Sequence, residues 1–221
     1  MRRNTHYFFM KLSKPYFLRH RPKANAIKND MKLPWLKLSL DIPTADILKE
    51  FEQVKDQLVA HRPDETIMHE QHNGWHSLTI HGVAPDITDQ TEKEMPHTWT
   101  SVADECSTTK QWIQSNFIIN NNTKRIRFMY LEPGGWILPH NDRETHMLKE
   151  INVAITNPQG CIFRMMDRGD IPFTPGSAFI LDVANKHMVW NNSDEPRLHI
   201  ILHTDIEDKT IEESYENCYY S

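Results

Sequence analysis

Hydrophobic and polar positions change rhythm along this chain. From Trp35 to Leu40, Leu36, Leu38 and Leu40 alternate with Lys37 and Ser39, the period of a strand. Ile42-Pro43-Thr44 then reads as a turn with Thr44 as helix N-cap, and Ile47, Leu48, Phe51, Val54 and Leu58 fall at helical spacing. Trp75 to His81 alternates again, with Trp75, Ser77, Thr79 and His81 on one face. Residues 83–98 read as a loop, and 101–117 as one helix through Ala103, Trp112, Ile113 and Phe117. After the turn signal Asn120-Asn121-Asn122 the texture is short apolar runs: 125–131, 136–138, 151–155, 161–165, 178–183, 188–190 and 198–202. Pro133-Gly134-Gly135, Asn157-Pro158-Gln159-Gly160 and Thr174-Pro175-Gly176-Ser177 punctuate them as turns. Seven or so short strands with frequent turn residues predict a mainly β sandwich or barrel of jelly-roll type with flanking α-helices.

The runs group into one expected domain over residues 34–205, its jelly-roll core at about 124–205. A basic N-terminal extension (1–33) precedes it, and an acidic tail (206–221), helical or without structure, follows. The 221 residues suit a single domain, and 38% hydrophobic residues suffice for a core. Net charge is -5, which gives no global case for nucleic acid binding. Residues 1–33, however, carry nine Lys and Arg against one acidic residue, Asp30. That segment reads as a tail, an organelle-targeting peptide (against which its scarcity of Ser counts), a region upstream of Met31 as working initiator, or a grip on an acidic partner. Cys106, Cys161 and Cys218 are far apart, an odd set that points to a reducing, cytoplasmic setting. No apolar run is long enough for a helical membrane span.

Chemistry concentrates between Pro133 and Arg197. His140 and Asp142 form a His-x-Asp pair, His187 follows at a distance, and Arg197 stands ten positions after it. A strand ending in a turn lets His140 and Asp142 converge on one ion, with His187 arriving from another strand. Two imidazoles and one carboxylate leave the opposite face of a metal open, the usual site of non-haem Fe(II) oxygenases. Arg197 suits bidentate capture of a carboxylate, and His199 shares its strand face. The second His-x-Asp, His203 and Asp205, lacks a later His and reads as the closing strand and its exit. His61, His69, His72, His76 and His81 are dense but match no zinc spacing. Ordinary strand positions explain them, or a wall of the site mouth where Trp75 and His81 touch substrate.

The stretch from Arg127 to Asp205 resembles the aspartyl/asparaginyl β-hydroxylase family of Fe(II)/2-oxoglutarate-dependent dioxygenases. The shared features are Leu131-x-Pro133-Gly134, Pro139-His140, Asn157-Pro158-x-Gly160-Cys161, Gly176 before Phe179-x-Leu181-Asp182, His187 with Trp190-Asn191, and Arg197-Leu198. The resemblance implies a double-stranded β-helix of cupin-like type. It also implies His140 and His187 as iron ligands, Arg197 on the 2-oxoglutarate carboxylate, and Lys149 as the basic residue before the central strand. Asp142 completes a triad that the animal-type members lack, and Met129 stands where they have a small polar residue. This places the chain nearer the small members similar to free-amino-acid hydroxylases.

The implied reaction consumes O2, turns 2-oxoglutarate into succinate and CO2, and hydroxylates an amino acid or an aspartyl, asparaginyl or prolyl side chain. Expected partners are that small molecule or peptide, with neither nucleic acid nor membrane. Expected site residues are His140, Asp142 and His187 for the metal, and Arg197, His199 and Lys149 for the co-substrate. Arg127, Arg143, Arg164 and Lys149 are candidates for a substrate carboxylate. The competing readings are a 2-oxoglutarate-independent cupin-type metalloenzyme and a non-catalytic jelly-roll binding protein.

Overall fold

The computed structural model describes residues 21–63, 71–88 and 95–220. The readings offered for the basic segment up to residue 20, and His69, lie outside them. In chain order the elements are α1 (Ala24–Lys28), β1 (Trp35–Leu38), α2 (Thr44–Val54), β2 (Val59–Ala60), β3 (His72–Gly82), β4 (Thr98–Trp99), α3 (Ser101–Glu105) and α4 (Ser107–Asn116). Then come β5 (Ile126–His140), β6 (Glu150–Ala154), β7 (Cys161–Met165), β8 (Gly169–Asp170), β9 (Ala178–Leu181), β10 (His187–Asn191), β11 (Arg197–Leu202) and α5 (Asp208–Tyr219). Every strand pairing is antiparallel, in the order β1-β9-β6-β11-β5-β10-β7-β8, with β3 also along β5. This is the expected mainly β, jelly-roll fold with few helices.

Strand β5 sets the curvature. Its first half pairs with β11 and its second with β10, so one 15-residue strand serves both sides of the roll. Pro133-Gly134-Gly135 therefore does not reverse the chain, as the composition implied; it bends a continuous strand. Gly134 holds φ +71°, a left-handed value open to glycine. A Cβ on Gly135 would come within 2.8 Å of Leu131 and 2.9 Å of the Glu132 carbonyl.

Alternation along the strands separates two cores. Phe128, Ile151, Val153, Ile180, Leu198 and Ile200 face outward onto α2, α3 and α4 and form the larger one, where Phe51 meets Phe128 edge-on at 5.2 Å. Leu131, Phe163, Phe173, Phe179, Leu181 and Val189 face into the roll. Since helices cover the outside, both faces of the central strands are buried, and polar residues of opposite parity (Arg127, Asn152, Arg197, His199) point inward.

Local chemistry differs from expectation at three places. Thr44 is the first helical residue of α2 and caps nothing through its side chain. The 101–117 helix breaks at Cys106, and the Glu50 carboxylate on α2 caps α4 by accepting from the Thr108 and Thr109 amides at 2.6 and 2.9 Å. That cap comes from a distant helix, so local pattern does not reveal it. Finally, α1 and α5 pack together: Ala24 and Ile27 are buried, Lys28 pairs with Asp208 at 3.0 Å, and the Ser39 amide donates to Ser214 at 2.9 Å. Among the described residues no helix is long and apolar enough to cross a membrane.

Phe128→Ala should cost about 3–5 kcal/mol by emptying the junction of sheet and helices. Met166→Ala, at an exposed turn, should stay within about 0.5 kcal/mol. Urea unfolding measures both, and equal effects would refute this placement of the core.

Candidate metal centre

His140, at the end of β5, stands directly opposite His187, at the start of β10, in the strand register. Their ring centroids are 4.4 Å apart. Asp142 follows on the turn leaving β5, its amide bonded to the Val183 carbonyl at 3.1 Å. Its carboxylate lies 3.7 Å from His140 Nε2 and 3.4 Å from His187 Nε2. The donor atoms of the three residues lie within 4.8 Å of one another, the one such cluster among the described residues. Both imidazoles are oriented by backbone: His140 Nδ1 donates to the Leu138 carbonyl at 2.7 Å and His187 Nδ1 to the Asn185 carbonyl at 3.0 Å. Those bonds fix the tautomer and leave both Nε2 lone pairs free for a metal.

The electrostatics favour the same use. Burial alone would raise the Asp142 carboxyl, but His187, 3.4 Å away, and then His140 hold it down to about 2. Burial, then repulsion from His187, lowers His140 and outweighs attraction by Asp142. An ionised carboxylate beside neutral imidazole is the protonation state a divalent cation needs.

The triad opens into a cavity of about 290 Å³ that Arg197 also lines. Arg197 is 3% exposed. Its Nη2 donates to His199 Nδ1 at 2.8 Å, its guanidinium stands 6.0 Å from the Phe163 ring centre, and its buried Nε has no hydrogen-bond partner. No described ion pair gives it a carboxylate, and burial lowers it to about 10. A buried cation lacking an anion is costly, and an anionic ligand in this cavity would relieve it. His199 is fully buried and off the cavity wall. Its Nδ1 lies 2.8 Å from Arg197 Nη2 and 2.6 Å from Asn152 Oδ1, and its Nε2 lies 3.2 Å from Asn157 Oδ1, so it packs between the guanidinium and these two amides and holds the guanidinium in place.

Lys149 is not part of this arrangement. It lies one residue ahead of β6, exposed and off the cavity wall, whereas Glu150 and Asn152, of opposite parity, face inward. Arg164 is also outside, in a bidentate pair with Asp170 at 2.6 and 2.9 Å. Arg127 and Arg143 do line the cavity, Arg127 bonded to Thr79 and Ile87 and Arg143 paired with Glu150 at 3.2 Å. Met129 lines it too.

Of the His-rich stretch, His61 packs on Trp75 at 4.0 Å, and both reach the cavity. His72 bonds the Arg62 carbonyl, His76 bonds Glu132, and His81 bonds the Lys124 carbonyl, away from the cavity. Sequence reasoning missed Glu150, His203 and Arg62 as cavity residues. His203 pairs with Glu150 at 2.8 Å across β6 and β11; only inward parity on two neighbouring strands could have signalled that pair.

A family model described as aspartyl/asparaginyl β-hydroxylase matches residues 43–208. No curated protein sequence matches the chain. A prolyl hydroxylase from Trichoplax adhaerens, solved with a hypoxia-inducible-factor oxygen-degradation-domain peptide, shares the fold. Its TM-score is 0.52 at 11% identity, covering 92% of this chain and 97% of that one. A Pseudomonas putida prolyl-4-hydroxylase gives TM-score 0.46 at 11% identity, covering 83% of this chain and 99% of that one.

Asp142→Ala and His187→Ala should each abolish stoichiometric Fe(II) binding with an unchanged far-ultraviolet circular dichroism spectrum; iron retained in both would refute the ligand set. The metal-free protein should also lose stability in mild acid. His61 and His199 are held well below their usual range, by burial first and then by Arg127 and Arg62 around His61 and Arg197 beside His199. The unfolded chain protonates these imidazoles below about pH 6.5 while the fold keeps them neutral, so acid favours unfolding by up to about 1.4 kcal/mol per pH unit for each. The melting temperature should hold above about pH 6.5 and fall from there to about pH 5.5; a flat profile would contradict neutral burial.

Proposed function

The chain belongs to the aspartyl/asparaginyl β-hydroxylase family and is a 2-oxoglutarate-dependent dioxygenase; on that premise we propose that Fe(II) is its metal, held by His140, Asp142 and His187, with Arg197 binding the far carboxylate of 2-oxoglutarate. The observation that carries this reading is the buried Arg197 guanidinium, without a carboxylate partner, in the same cavity as the triad. The donor set fits the ion: two imidazole nitrogens and one carboxylate oxygen converge, a set that would leave room on a bound Fe(II) for co-substrate and O2.

Bound Fe(II) supplies the activation of O2 that converts 2-oxoglutarate to succinate and CO2 and puts one oxygen atom into a substrate C–H bond. The residues of the chain provide the setting. Asp142, held down to about 2, and His140, held below its usual range, would need release no proton to accept the metal, and His187 Nε2 faces the same point. Arg197 orients a dicarboxylate through charge-assisted bonds, and His199, Asn152 and Asn157 hold that arginine in place. Phe163 and Val189 contribute apolar surface to the cavity wall.

For the substrate, an amino acid or a peptide carrying an Asp, Asn or Pro side chain fits the charged groups of both signs on the wall, Arg62, Arg143 and Glu150. The peptide in the Trichoplax structure supports the peptide form for that protein.

Under anaerobic conditions the apo-protein with Fe(II) and 2-oxoglutarate should show the visible charge-transfer band of a chelated 2-oxoacid. Arg197→Ala should need roughly 30- to 1000-fold more 2-oxoglutarate, the cost of about 2–4 kcal/mol for removing a buried charged partner. Iron binding without the band would overturn the co-substrate in favour of a cupin-type metalloenzyme.

A further inference from the structure

Asp182 follows directly on β9 and is 2% exposed. Its carboxylate touches none of the three triad side chains, yet it is saturated. Oδ2 accepts from His146 Nδ1 at 2.7 Å and Asn185 Nδ2 at 2.9 Å. Oδ1 accepts from the Met147 amide at 3.3 Å and the Ala184 amide at 3.2 Å. Four bonds fill the acceptor capacity of a carboxylate, so nothing remains for a metal.

What those bonds fix is a turn, residues 182–186, closed by the Asn185 amide on the Asp182 carbonyl at 3.1 Å. Three consecutive carbonyls of this turn reach the metal-binding segments. Val183 accepts from the Asp142 amide at 3.1 Å, Ala184 from Asn141 Nδ2 at 2.5 Å, and Asn185 from His187 Nδ1 at 3.0 Å. On its other side the carboxylate holds residues 146–147, the far part of the segment that carries Asp142. One buried side chain thus ties together the two stretches that deliver two of the three donors.

We propose that Asp182 is a positioning residue of the metal centre: its buried carboxylate sets the 182–186 turn, and the turn sets the Nε2 direction of His187 and the placement of Asp142. The inference rests on the reading of His140, Asp142 and His187 as metal ligands. The Asn185 side chain is anchored by the Asp182 carboxylate at 2.9 Å as well as by the Asp182 carbonyl at 3.0 Å, and the Ala184 amide is held by the carboxylate alone at 3.2 Å. Loss of the carboxylate leaves the turn on its backbone bonds and loosens the carbonyls that orient His187 and Asp142. Outer partners of this kind are worth about 10- to 100-fold in metal affinity.

The test is Mn(II) titration of the full chain, read from the electron paramagnetic resonance signal of the free ion, well below the melting temperature. Asp182→Ala should weaken binding about 10- to 100-fold. Asp182→Asn keeps an acceptor for the two amides but presents a donor to His146 and Asn185, and should fall between wild type and alanine. It also serves if the alanine variant does not fold. Ile211→Ala, a fully buried truncation on α5, is the control for stability: it should lower the melting temperature and leave Mn(II) affinity unchanged. Wild-type affinity in both Asp182 variants would overturn this inference alone. A loss of affinity in Ile211→Ala equal to that of Asp182→Ala would overturn it as well, since general destabilisation would then account for the effect. Absence of Mn(II) binding in the wild type would overturn the metal reading and this inference together.

Discussion

The pairing of β5 with β11 over its first half and with β10 over its second brings the functional groups together. In the first register Arg197 stands opposite Leu131; in the second His187 stands opposite His140. A straight strand would hold those two pairs apart on a flat sheet. The glycine bend at 134–135 rolls the sheet, so side chains from β5, β10 and β11 share one inner space. Hydrogen bonding of the backbone, rather than contact between these side chains, is therefore what places Arg197 and the His140, Asp142 and His187 donors in one cavity.

The inner space is polar because the outer face has taken the apolar positions. Helices α2, α3 and α4 cover the outside of the sheet and bury Phe128, Ile151, Ile180 and Ile200 there. The opposite parity is then left for Arg127, Asn152, Arg197 and His199, all nearly or fully buried. Burying such groups is unfavourable unless each finds a partner. Most do, through Thr79, Ile87, Asn157 and one another. Arg197 is left without a carboxylate among the described residues, and its guanidinium and the His140, Asp142 and His187 donors line the same cavity. A dianionic 2-oxoacid and a divalent metal would answer the two together, which is why binding and folding energetics point to the same chemistry here.

Around this centre the support comes from chain segments with no chemistry of their own. The 182–186 turn aligns donors through backbone carbonyls, and His199 holds a guanidinium. Glu50 starts a helix on a neighbouring element. The Glu50 cap and the bonds from Asn141 and Asp142 to the 182–186 turn join residues far apart in the chain and are invisible to local pattern, whereas His199 lies two residues from Arg197 on the same strand face.

The sequence by itself determined the class of the fold, since strand periodicity repeated over many segments survives single local misreadings, and it determined the triad candidates, since His140, Asp142 and His187 carry their chemistry wherever they sit. It also singled out Arg197 as a candidate to bind an anion, and the structure buries that guanidinium on the wall of the same cavity. Tertiary structure decided which polar residues belong to the cavity. Parity within a strand says that Glu150 and Asn152 share a face and that Lys149 does not, but only the rolled sheet says that this face is inside. The same holds for His203, assigned by its neighbours to a strand exit and brought by β6 to Glu150. The glycine stretch at 133–135 read as a turn because left-handed glycine serves turns and strand bends alike. Partner strands on both sides of it decided for the bend.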